Sequence, residues 1–372
     1  MKSNRKLYRY GVLASVSLGV LLMAASASAK VEGQCAVCHT MHNSQDGAPM
    51  AVDSTGAPQT APNEVLLVKG CVACHTGTNQ QRVAGNFTIP FVNSTTLPDY
   101  TNDGLSGNTL AGGNFYWVAA NGTALDSTGH NVATDSLSAQ DGTLGTTPPG
   151  YTGGAVLPQL TCAGTNGCHG DKTIANDFGA ISGSHHANDA TIDGSTVAKS
   201  YRFLDGIVGI EDWDWEFTPT ATEHNQYKGI ARSTENDEDP QSISSLCAQC
   251  HDSFHNGAGN VGGTNPTTGV FASPWVRHPT DFDMGSIADT TAEYYSYGGV
   301  NNDYQVTAPV ASSDMTLGVV STVSFSNDTI VTCISCHRAH GTPNDDLLRW
   351  DYSVVNAGVS GTGACFTCHT TK

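Results

Sequence analysis

The chain has 372 residues, 41 of them glycine, with 38% hydrophobic residues and a formal charge of −18 at neutral pH. Such an acidic balance argues against nucleic acid and anionic lipid as partners. Leu, Ile, Val and Phe are sparse for this length, so either much of the chain is unstructured or something other than side chains fills its interior.

Residues 1–29 read as a secretory signal peptide. Lys2, Arg5, Lys6 and Arg9 form a basic head, "GVLASVSLGVLLMAA" (11–25) is the apolar core, and "ASA" (27–29) supplies the small residues of a cleavage site. The apolar run is short for a membrane span. The mature chain is then 30–372, without a second apolar run long enough to cross a bilayer. No Pro-rich or charged linker divides it, so a single elongated domain is expected. Losing the four basic residues leaves 12 against 34 acidic ones, a formal charge near −22. The signal implies export from the cytoplasm, with the periplasm as one destination.

Twelve cysteines in an exported chain first suggest disulfides, but their arrangement points elsewhere. Five pairs read Cys-x-x-Cys-His: Cys35/Cys38/His39, Cys71/Cys74/His75, Cys247/Cys250/His251, Cys333/Cys336/His337 and Cys365/Cys368/His369. That pentapeptide attaches a c-type haem: two thiols form thioethers with the vinyl groups, and the next imidazole lies beneath the iron. Zinc, the rival for Cys/His clusters, does not require a histidine directly after the second cysteine. In chain order the third pair departs from the pattern, with Cys162 and Cys168 five residues apart ahead of His169. The Cys-His step is kept and "AGTNG" can loop out, so this too is read as an attachment site. The expectation is six haems. Six large apolar plates also explain the thin side-chain core, and predict a mostly irregular multihaem cytochrome with a few short helices and very little strand.

Eight histidines remain as distal iron ligands: His42, His130, His185, His186, His224, His255, His278 and His340. Six are needed for bis-His ligation, and one of the adjacent His185 and His186 is expected to be spare. Methionine would raise the potential, but Met41 reads more simply as packing on its ring. Six saturated irons leave no open position, so electron transfer is expected and catalysis is not. "CHTMH" (His39, His42), "CHDSFH" (His251, His255) and "CHRAH" (His337, His340) each carry a second histidine three or four residues on. If those stretches are helical, both imidazoles project from one face, and the second must ligate a different haem.

Between the motifs, "LAGGNFYWVAANGTALDSTGHNV" (110–132) reads as a turn, a short aromatic segment and a loop delivering His130. Trp213, Trp215, Phe217 and Tyr227 cluster around His224 and are expected to pack on porphyrin faces. "STENDEDP" (233–240) reads as a solvated acidic loop, and "PNDDLLRWDYS" (343–353) as a short helix.

"CAVCHTMHNS", "GHNV", "CISCHRAH" and the terminal "CFTCHTTK" resemble, in order, the filament-forming hexahaem outer-surface c-type cytochromes of metal-reducing bacteria. Residues 175–232 agree least, and the Cys162–Cys168 spacing departs from that family's regular motif. The resemblance implies a coil-rich chain wound around a continuous bis-His haem stack. It also implies a homopolymer in which His42 ligates a haem of the adjoining subunit, the one on Cys333/Cys336. Other redox proteins and extracellular electron acceptors would be its partners. A monomeric periplasmic carrier and a multihaem reductase are the alternatives.

Overall fold

A computed structural model describes residues 31–369 apart from 32–33, 46, 51–57, 59, 62–65, 68–69, 78–81, 85–86, 95, 99–109, 120–127, 133–147, 149–158, 188–190, 233–236, 252–263, 266–269, 272–279, 287–292 and 357–363. The signal peptide, His255 and His278 lie outside the described residues.

Among those residues the helices are α1 (Cys71–Cys74), α2 (Tyr116–Ala119), α3 (Asp177–Ala180), α4 (Ile243–Ala248), α5 (Cys333–Cys336) and α6 (Cys365–Cys368). α1, α5 and α6 consist of a Cys-x-x-Cys segment and nothing more. One turn is all the motif needs to bring its two thiols to the same side. Thr332 and Ser335 close a capping box around α5, and the Ser242 hydroxyl accepts from the Ser245 amide at the start of α4. The first motif makes a 3-10 turn, Cys35–Val37.

The strand content is higher than the composition suggests. Five short strands, β1 (Gly209–Ile210), β2 (Gln226–Lys228), β3 (Phe282–Asp283), β4 (Ala311–Ser312) and β5 (Ile330–Val331), form one sheet in the order β3-β5-β4-β2-β1. β2 and β4 are parallel and the other pairs antiparallel. Two groups of buried side chains use this sheet. One gathers Phe282, Met284, Tyr297, Tyr304, Val310 and Val331, the other Tyr201, Leu204, Ile207, Tyr227, Ile243 and Ile330. Among the described residues, the two larger clusters of buried apolar side chains thus come from 201–331 and form a conventional side-chain core, which average composition hid.

The aromatic cluster near His224 divides accordingly. Tyr227 packs edge-on against Tyr201 at 5.6 Å inside that core, whereas Trp213 is exposed and hydrogen-bonds to Glu223. Tyr227 is therefore a sheet residue, contrary to the expectation that it packs on a porphyrin. The 110–132 segment follows expectation where it is described, with a turn, α2 and an extended piece carrying His130. In 343–353 the short helix is reduced to a 3-10 turn, Asp345–Leu347, kinked at Asp346 (φ 58°). From the acidic loop, Asp239 pairs with Lys228 at 2.8 Å.

Candidate haem-binding sites

None of the twelve cysteines is paired with another in a disulfide. At the five regular motifs the histidine amide donates to the carbonyl of the first cysteine, as in His75 to Cys71 and His337 to Cys333, at 2.8–3.0 Å. The histidine then leaves the turn, with extended backbone at His337 and His369. The helix therefore stops at the second cysteine. The expectation that His42 and His340 share a helical face with His39 and His337 fails for that reason. His42 instead sits exposed in a turn at φ 54°.

The third site reaches a similar end by another route. Thr161–Ala163 and Gly167–His169 pair as two short parallel strands, with the Gly164 amide donating to the His169 carbonyl at 2.9 Å. Gly164 has φ +81°, and a Cβ at Gly167 would lie 2.4 Å from the Ala163 backbone. The five-residue spacer is thus a tight glycine-dependent turn, not a loose loop.

What orients the imidazoles is the backbone. Nδ1 of His39, His75, His169 and His337 lies 3.3, 2.9, 2.9 and 2.6 Å from the carbonyls of Leu66, Pro90, Arg202 and Asp346. A proton on Nδ1 donated to a carbonyl leaves Nε2 as the free lone pair, the tautomer an iron ligand requires. Burial holds His75 and His169 below the ordinary histidine range, so they are neutral at pH 7. Arg202 and Asp346 play their part from left-handed conformations, φ 49° and 58°, each followed by another positive-φ residue, Phe203 or Leu347. The residue after each histidine repeats the pattern: Gly170 donates to Phe203 and Arg338 to Leu347. These acceptors were missed in the sequence. Their only signal is bulky apolar pairs in a Gly/Ser/Thr-rich chain: Leu66-Leu67, Phe203-Leu204 and Leu347-Leu348.

Three pairs of rings face one another. His39 and His186 have centroids 5.9 Å apart, His251 and His130 6.2 Å, and His169 and His340 6.5 Å. Two imidazoles gripping one metal ion through Nε2, with bonds of about 2 Å and about 1 Å more to each ring centre, have centroids about 6 Å apart. Each pair joins a motif histidine to one of the eight distal candidates. His130 donates Nδ1 to the Ala339 carbonyl at 2.6 Å. Burial lowers the pKa of His340 to about 3, so it is neutral at pH 7. A neutral imidazole set opposite a motif histidine at this separation fits a metal-bound cofactor between them.

The other candidates differ. His185 packs on Phe203 at 4.9 Å. His224 lies 1% exposed and stacks on Tyr304 at 3.6 Å. Its Nδ1 and Nε2 lie 2.8 and 3.2 Å from the Asn225 and Val320 carbonyls. Buried, stacked on Tyr304 and able to donate to one of these carbonyls, His224 occupies the place of a core histidine.

The thiols form a string in sequence order. Cys38 packs beside Ile89 and Phe91, on the segment whose Pro90 accepts from His75. The Cys71 and Cys162 thiols hydrogen-bond, as do those of Cys247 and Cys333. Cys168 lies within electrostatic reach of Cys247 and Cys250, and Cys336 of Cys365 and Cys368. Among the described residues, no three His, Cys, Asp or Glu side chains converge on one point as a separate metal site.

Residues 327–372, spanning the last two motifs, match the family described as the doubled CXXCH motif. Over 91% of the chain the sequence is 28% identical to the c-type cytochrome OmcS of Geobacter sulfurreducens, covering 84% of that protein. In sequence, this chain is similar to OmcS over most of its length. The outer membrane cytochrome S filament of the same organism matches at 22% identity, with 87% of this chain and 85% of that one covered and a TM-score of 0.43. The OmcS nanowires solved by cryo-EM match at 20%, with 90% and 88% covered and a TM-score of 0.45. Neither score reaches 0.5, so the haem-site assignments rest on this chain's own residues. Among the described residues, no helix is long and apolar enough to cross a membrane.

Proposed function

We propose that the mature chain is an extracellular electron-transfer protein carrying six c-type haems, ordered along the molecule as they are in the sequence. The observation that carries this reading is the string of adjoining attachment thiols together with the three facing imidazole pairs. Once bound, each haem iron accepts and releases one electron. The chain's own contribution is spacing and orientation: cysteines fix the plates side by side, carbonyls hold Nδ1 of the proximal imidazoles, and neutral histidines cap the opposite faces.

In this reading Cys35, Cys38 and His39 hold the first haem with His186 opposite. Cys162, Cys168 and His169 hold the third with His340 opposite, and Cys247, Cys250 and His251 hold the fourth with His130 opposite. His340 follows the fifth motif but caps the third haem, and the Ala339 carbonyl fixes His130 over the fourth. One short segment, 337–341, therefore ties three haems together. Cys71, Cys74 and His75, Cys333, Cys336 and His337, and Cys365, Cys368 and His369 hold the second, fifth and sixth. Their distal ligands come from His42, His185, His255 and His278.

His42 stands at the exposed beginning of the string, beside exposed Met41 and Leu66. We assign it to a haem of an adjoining subunit, which makes the protein the protomer of a filament like those of its OmcS relatives. The intact mass of the secreted holoprotein should equal the mature chain plus six haems, and its ferric spectrum should be wholly low-spin. Five haems, or a stoichiometric high-spin component in assembled material, would overturn this assignment.

A further inference from the structure

The segment "IEDWDWEF" (210–217) folds back on itself and buries three carboxylates. Asp212, Asp214 and Glu216 are 5%, 3% and 5% exposed. The charged group turned toward them from the neighbouring turn is Arg202, which donates through Nη2 to the Asp212 carbonyl and the Asn225 side chain. Asp212 and Asp214 are hydrogen-bonded to each other through their side chains. The Glu216 amide donates to Asp212 at 2.8 Å. Asp214 accepts from the Phe217 amide and from the amide and hydroxyl of Thr218, and Glu216 from the Asn225 amide.

This arrangement is asymmetric. Burial, then the hydrogen bond to Asp214, pushes Asp212 up to about 7. Burial also acts upward on Asp214, but the hydrogen bonds from Asp212, Thr218 and the Phe217 amide outweigh it and hold Asp214 low. Three buried carboxylates against one guanidinium cannot all ionise cheaply, so a proton shared by the pair is stabilised.

The same Arg202 is the residue whose carbonyl receives Nδ1 of His169 at 2.9 Å, and its amide donates to Glu211 at 2.6 Å. A single residue thus joins the main chain of Asp212 to the proximal histidine of the third attachment site. The surrounding ionisable groups are Glu211 beside Arg202, Glu223 and His224 ahead of β2, and Tyr201 and Tyr227 in the core. Arg338 meets the Ala111 carbonyl, behind the amide that donates to Trp215.

We propose that the Asp212–Asp214 pair is a proton site linked to the third haem, taking up one solvent proton when that haem accepts an electron. The electron comes from a neighbouring haem or, in a titration, from an electrode. Iron(III) becomes iron(II), no covalent bond in the chain breaks, and the doubly ionised pair becomes one sharing a single proton. The inference rests on the reading that Cys162 and Cys168 carry a haem.

The test is a spectroelectrochemical titration of the holoprotein from acid to alkaline pH, with Asp212→Asn beside the unaltered chain. One of the six redox components should fall in potential as pH rises through neutrality, and Asp212→Asn should flatten it. A tenfold difference in proton affinity between the two redox states corresponds to about 59 mV over the full span. Redox-difference infrared spectra of the unaltered protein should show a protonated-carboxyl band gained on reduction and absent from Asp212→Asn. Asp214→Asn serves as the second variant where Asp212→Asn does not accumulate. An unchanged pH dependence in the variants, or no carboxyl band in the unaltered protein, overturns the proposal. A mass showing only five haems, with Cys162 and Cys168 as free thiols, instead overturns the reading of the third site beneath it.

Discussion

Gly341→Ala should uncouple two irons at once. Gly341 lies where three chain segments meet, bridged to both Gly113 and Gly129. An added Cβ would come 2.7 Å from the Asn114 carbonyl and 3.0 Å from that of Thr128. Backbone cannot yield as a flexible side chain can, so the segments must part. The bonds crossing this junction are His340 to Gly112 at 2.6 Å, Asn114 to Gly341 at 2.9 Å and Thr342 to Thr128 at 2.8 Å. Three such bonds at about 1 kcal/mol each put the cost at about 3 kcal/mol. The same junction sets His340 opposite His169 and His130 opposite His251. The haems are covalently attached, so mass spectrometry should still find six. Electron paramagnetic resonance of the ferric protein should show two of the six turned high-spin. Six low-spin haems with unchanged thermal stability would refute the assignment of both ligands to this junction.

Other outcomes follow from the same geometry. His42→Ala should leave six haems per chain but only dispersed protomers by electron microscopy; filaments of normal length would exclude it as the link between subunits. His224→Phe should leave every haem low-spin while lowering stability by about 1 kcal/mol, through the one carbonyl hydrogen bond a neutral imidazole donates. Burial holds His224 below its unfolded value, so its contribution is complete above pH 6.5 and is lost as pH falls. The Phe variant should show a shallower acid limb in denaturant melts, because ligand histidines bound to iron do not share this titration. Gly167→Val should block the turn between Cys162 and Cys168, and the intact mass should drop by one haem.

The attachment sites were legible because their spacing is dictated by covalent chemistry. Cys-x-x-Cys-His must fit a porphyrin whatever surrounds it, and four of the regular motifs make the expected single turn of α- or 3-10 helix. The displaced Cys162 was read as an attachment residue from the kept Cys-His step alone, and the two-strand turn around it was not legible. Pairing was hidden, because it depends on contacts between distant segments. Nothing local says that His340 faces His169 rather than the ring of its own motif. A helical face was the wrong argument for His340, which the glycine junction instead sets opposite His169. His224 illustrates the converse. Counting made it a ligand, whereas its pocket is built by Tyr304 and Val320 from far along the chain. The small sheet escaped for a similar reason, since two-residue strands carry no period.

The order of the irons tests the account most directly. A cryo-electron-microscopy map of the holoprotein should place six irons in sequence order, with His186 opposite His39, His130 opposite His251 and His340 opposite His169. Irons out of that order, or His340 bound to the haem on Cys333 and Cys336, would contradict it.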